Sequence, residues 1–132
     1  MNEERDPNAL YVHVAEFLPV RAYGQVLDVM GLSMRIYAQA RESEGYVAGG
    51  LKAKWWRKEF WSFSVWEDRD AMERFVRTAP HAQAAARVLG FAAPGACYVE
   101  WVAPGPADWP EAVERLKSPT RYFVPPPLIG LR

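Results

Sequence analysis

One stretch of this chain passes from strand to helix without a loop, and that junction limits the folds open to it. Residues 57–83 read RKEFWSFSVWEDRDAMERFVRTAPHAQ. From about Lys58 to Trp66 the residues alternate as a strand does, with Trp61, Phe63 and Val65 on one side. Phe60 and Trp66 share the other side with Ser62 and Ser64. A half-solvated strand would alternate apolar with charged residues, so aromatic groups on both sides predict a sheet covered on both faces. Glu67 and Asp68 then supply carboxylates where a helix start leaves free amide donors. Ala71, Met72, Phe75 and Val76 mark an apolar stripe to about Thr78, and Pro80 suits the first turn of a further helix. That helix carries HAQAAARVLG to Gly90, a candidate C-terminal cap.

The rest of the chain supplies the elements this junction needs. Ala9 to Phe17 is a predicted strand with Val12 and Val14 on one face and Tyr11, His13 and Ala15 on the other, ended by Pro19. A helix is expected from about Arg21 to Ser43, with Tyr23, Leu27, Met30, Met34 and Tyr37 at helical spacing. Gly31 weakens it by about 1 kcal/mol relative to alanine, and Gly45 is a natural stop. A second strand over about Tyr46 to Trp55 contains Gly49 and Gly50, which suggest a bulge or a close backbone approach. It pairs as a hairpin with the strand that opens the junction. The last strand is about Ala96 to Ala103. The order strand, helix, strand, strand, helix, strand is the ferredoxin-like βαββαβ plan, an α+β fold with a four-stranded antiparallel sheet and helices on one face. The cheapest cover for the other face is a second copy of the same sheet, giving a dimeric α/β barrel and a homodimer.

Residues 1–104 are read as this α/β-barrel domain and 105–132 as a C-terminal extension, not a separate domain. Within the extension a short helix is predicted over about Trp109 to Lys117, started by Asp108 and Pro110. The proline-rich end is either a tail strapped over the core edge or an arm reaching across a dimer.

Sixteen basic residues balance sixteen acidic ones, which argues against a nucleic-acid or membrane-surface partner. The local basic run KAKWWRK is read as the exposed end of the hairpin. Cys97 has no cysteine to pair with, and it lies far in sequence from the two histidines, so no metal site is expected. No apolar run has signal-peptide or membrane-spanning character, and a cytoplasmic location is the expectation.

The segment SVWEDRDAMERFVRTAPHAQ, Ser64 to Gln83, resembles the antibiotic biosynthesis monooxygenase-like dimeric α/β barrels. The likeness lies in a strand ending in Trp, an acidic helix start, the pair Ala71–Met72, an aromatic one turn on at Phe75, and the break Ala79–Pro80–His81. GYVAGGLKAKWWRKEFWSFSVW is also similar to the spheroidene-monooxygenase-like branch. The resemblance implies a monooxygenase-like oxidoreductase acting on a hydrophobic small molecule, aromatic or polyenic, with either no cofactor or heme. The heme-degrading members carry an Asn on the first strand, a helix Trp and a ligating His. Here the strand's Asn is missing, Phe75 stands at the Trp position and Ala85 at the His position, so that mechanism does not carry over.

His81 and His13 are the candidates for proton handling or ligation. At the helix start His81 sits at the positive end of a dipole that keeps an imidazole neutral. Its competing role is to cap the helix or donate to a backbone carbonyl at the break; for His13 it is that of a satisfied strand histidine. Trp61, Trp66, Phe75, Ser64 and Tyr37 are the candidate substrate contacts, each also explicable as core. Trp55 and Trp56 are expected at a dimer contact or a pocket rim. The alternative function is a non-catalytic small-ligand-binding or heme-binding barrel.

Overall fold

The computed structural model describes residues 8–127. Strand β1 (Leu10–Pro19) leads through a short 3₁₀ turn into α1 (Val26–Arg41), followed by β2 (Tyr46–Lys54) and β3 (Glu59–Trp66). Helices α2 (Arg69–Val76) and α3 (His81–Phe91) precede β4 (Cys97–Pro104), α4 (Trp109–Arg115) and β5 (Arg121–Tyr122). The sheet is antiparallel with strand order β2-β3-β1-β4-β5. The ferredoxin-like order is present, but the sheet has five strands where four were expected. The extra strand comes from the tail: Arg121 and Tyr122 pair with Tyr98 and Cys97, and the Thr120 hydroxyl accepts from the Glu100 amide. As far as residue 127, the tail is thus strapped onto its own sheet.

Local chemistry explains the element ends. The Asp68 carboxylate accepts from the Ala71 amide at 2.8 Å and starts α2, and Asp108 does the same for α4 through the Glu111 amide at 3.1 Å. Gly45 has φ +89°, and a side chain there would overlap Ala71, so glycine is required between α1 and β2. Gly49 passes close to the Phe63 carbonyl, which makes it the expected close approach, while the register irregularity falls earlier, between Tyr46 and Ala48. Gly90 is not a cap. Helix α3 runs through it to Phe91, because the Arg21 guanidinium and the Gln25 amide donate to its last carbonyls and replace a glycine turn.

The sheet divides the interior in two. Val12, Val14, Glu16 and Leu18 of β1 face α1–α3, where Leu18 packs with Val26, Val29, Leu32 and Phe91, and Val12 with Trp66, Met72 and Phe75. The opposite face carries Ala15, Val99 and Trp101, and here α4 closes over it with Ala107 and Ala112. The second apolar face predicted from β3 is therefore covered in part by the chain's own extension. Phe17 and Trp61 meet on this face with ring centres 5.3 Å apart, and Lys52 and Lys54 lie over the Trp61 ring.

Candidate functional site

A cavity of about 450 Å³ lies between the sheet and helices α1–α3. It falls within the size range of small-molecule sites. Its floor is set by strand register. Glu16 stands opposite Ser62 of β3 and Tyr98 of β4, and Val14 stands opposite Ser64 and Glu100. Directly paired residues share a face, with side chains about 5 Å apart. The helices contribute Val29, Leu32, Ile36, Tyr37 and Phe75.

Five of the seven residues expected at the site have side chains at this cavity: His81, Trp66, Phe75, Ser64 and Tyr37. Trp66 is fully buried; its indole N–H donates to the Ser64 hydroxyl at 2.8 Å, and its ring stacks on Phe75 at 4.9 Å. Phe75 in turn packs against His81 at 4.8 Å. Burial, followed by the neighbouring Tyr37 hydroxyl, pushes Tyr46 up to about 12. Trp61 belongs to a strand that borders the cavity, but its ring lies on the opposite face against Phe17. Trp55 and Trp56 are exposed at the hairpin tip and do not line the cavity.

The two histidines do not meet. His81 Nδ1–H donates to the Val76 carbonyl at 3.2 Å, the backbone role anticipated for it, and leaves Nε2 with its lone pair. Burial lowers its pKa, so the ring is neutral at pH 7. His13 lies on the α4 side of the sheet, 1% exposed, stacked on Trp101 at 5.0 Å and bonded through Nε2 to the Ala103 carbonyl at 3.2 Å. Burial also lowers its pKa. Joint proton handling by His13 and His81 is not possible across the sheet.

Glu16 is the cavity residue the sequence reading missed. Its side chain is half-buried and borders the cavity, and among the described residues no hydrogen bond or ion pair holds it. Burial pushes its pKa up to about 7. The signal was present: β1 continues to Pro19, so Val12, Val14, Glu16 and Leu18 form one face with a single charge among apolar residues. Ending the strand at Phe17 hid Leu18 and made Glu16 look terminal. Because its folded-state pKa is raised, Glu16 stabilises the fold least when ionised. Its contribution is complete below about pH 4.5 and is lost as pH rises through about 7. Replacing it by Gln should therefore stabilise the protein above pH 7 by up to about 3 kcal/mol, and the gain should vanish near pH 4. Urea unfolding of both proteins across that range checks this; a pH-independent difference would contradict it.

Heme fits these residues poorly. His81 Nε2 is free to ligate, but Arg69 is paired with Glu100 at 3.2 Å and Arg77 with Glu73 at 3.0 Å. That leaves the arginines bordering the cavity engaged and an unpaired carboxyl on the floor, an unfavourable setting for two propionates. Among the described residues no three His, Cys, Asp or Glu side chains group as a metal site. No helix among them is long and apolar enough to cross a membrane.

This architecture is the ferredoxin-like α+β fold of the antibiotic biosynthesis monooxygenase-like proteins. A conserved protein from Methanosarcina mazei Go1 superposes with TM-score 0.61 at 13% identity, over 70% of this chain and 92% of that one. A candidate antibiotic biosynthesis monooxygenase from Nitrosomonas europaea matches with TM-score 0.59 and 12% identity, over 76% and 94% of the two chains. SnoaB, a cofactor-independent oxygenase from Streptomyces nogalater, matches with TM-score 0.51 and 16% identity, over 77% and 98%. No family model and no curated protein sequence matches the chain.

Proposed function

We propose that the chain is a monooxygenase-like enzyme that takes a hydrophobic small molecule, aromatic or polyenic, into the cavity between its sheet and helices. The observation that carries this reading is the cavity itself. It has the volume of a ligand site, its walls are mostly apolar, and it brings together a neutral imidazole at His81 and the Glu16 carboxyl, whose pKa burial raises to about 7. The fold shared with a cofactor-independent oxygenase supports oxygen chemistry without a bound cofactor. Phe75, backed by the buried Trp66, forms the aromatic wall of the substrate site, with Ser64 and Tyr37 as polar contacts. The active form in this proposal is a homodimer joined through the strip of sheet around Phe17 and Trp61 that α4 leaves partly open. A second reading, a non-catalytic ligand-binding barrel, draws support from the separation of the two histidines.

Oxygen uptake discriminates the two. Purified protein without added cofactor is presented with a panel of apolar aromatic and polyenic compounds. The enzyme reading expects uptake with some of them and its loss in Val14→Phe, which fills the cavity from the floor. Tight binding with no uptake across the panel would favour the binding barrel, and a heme titration that yields a Soret band sensitive to His81→Ala would restore the heme version.

A further inference from the structure

We propose that Glu16 is the polar anchor of the cavity: its carboxyl takes the hydrogen of an O–H or N–H group on an otherwise apolar ligand. The inference rests on the cavity being a ligand site, and it adds the chemical class of what enters.

Glu16 sits at the middle of the sheet, with paired strands on both sides of β1 and Ser62 and Tyr98 directly opposite. Half-buried there, a carboxyl is ordinarily held by a cation or by amide donors, because even partial removal of an unpaired charge from water is costly. Here none is present among the described residues. The charged groups around the cavity are already matched to one another, Arg69 to Glu100 and Arg77 to Glu73. His81 is neutral, with its Nδ1–H given to Val76. Cys97, a further ionisable neighbour on β4, has a thiol that burial pushes up and keeps neutral, so like Tyr98 it supplies no countercharge. An apolar side chain would fill the position at lower cost, which makes the unpaired carboxyl a feature to be explained by use.

The ligand's own donor completes the site. The surroundings of Glu16 fix the rest of the molecule: Leu18 and Phe60 share its face of the sheet, and Val29 and Leu32 line the same cavity from α1. A body without charge or further donors fits that lining, with one donor group directed at the centre of the sheet. The Ser62 hydroxyl, one strand away, can accept or donate beside it.

The test uses two probes of nearly equal shape, naphthol and methoxynaphthalene, which differ in the O–H. Calorimetric titration of the wild-type protein is expected to show naphthol bound about tenfold more tightly, the usual margin for a hydrogen bond to a charged group. The margin should widen as pH rises through about 7, where the acceptor becomes a carboxylate. In Glu16→Leu the preference should disappear while methoxynaphthalene binds at least as well as before. Glu16→Gln keeps the size and a weaker acceptor, and should reduce the preference to about threefold or less. Equal binding of both probes by the wild type, or a full preference retained in either variant, overturns the proposal and leaves the cavity reading standing. Failure of the wild type to bind either probe overturns both.

Discussion

Trp66→Ala is expected to destabilise the protein by about 4 kcal/mol, the cost typical of truncating a fully buried tryptophan. At this chain length that lowers the melting temperature by roughly 15 °C. Trp66 is 0% exposed, stacks on Phe75, meets Tyr46 edge-on at 5.7 Å, and ties its indole N–H to Ser64. Because it already borders the cavity, its removal enlarges a void instead of allowing collapse, which places the loss toward the upper end of the range. The effect also reaches function. Phe75 lies between Trp66 and His81, so the His81 ring loses the support behind it. Trp66→Phe keeps most of the packing and should lose only about 1 kcal/mol, chiefly for the hydrogen bond. Thermal denaturation followed by circular dichroism measures both; a drop of only a few degrees for Trp66→Ala would contradict this account of the core.

Ala112→Glu should be comparably damaging for a different reason. Ala112 is 0% exposed on α4, against Ala15, Val99 and Trp101 on the far face of the sheet. A glutamate there combines overpacking with an unpaired carboxylate, together about 4 kcal/mol. It acts on the opposite side of the sheet from the cavity. The variant should therefore unfold about 15 °C lower yet bind cavity ligands with unchanged affinity at temperatures where it is folded. Stability near that of wild type would mean that α4 does not hold the second face shut.

Much of the fold was legible because its signals are local. The alternation of Phe60 to Trp66, the cap at Asp68 and the stop at Gly45 each depend on a few neighbouring residues, and each stands where the pattern placed it. What was missed depends on distant partners. Strand β5 exists because Arg121 and Tyr122 find the free edge of β4, which no periodicity in a two-residue strand can announce. The end of α3 passed Gly90 because Arg21 and Gln25, some 65 residues earlier in the sequence, bind its carbonyls. The site was half legible for the same reason. Aromatic residues of β3 and α2 announced the wall of a cavity, but which histidine faced it depended on the sheet's orientation, and Glu16 became visible only once β1 reached Pro19.

The sheet acts as a partition between two independently adjustable compartments. One side holds empty space and an unpaired carboxyl, and gives up stability for room. The other is filled where α4 lies, with Arg115 resting over the Trp101 ring at 5.1 Å and Ala112 sealed beneath. Changes aimed at a new ligand therefore belong above the floor at Val14, Ser62 and Tyr98, and changes aimed at robustness belong beneath it along α4. A redesign can offset losses from one side with gains on the other, because the two compartments meet only through the backbone of the sheet.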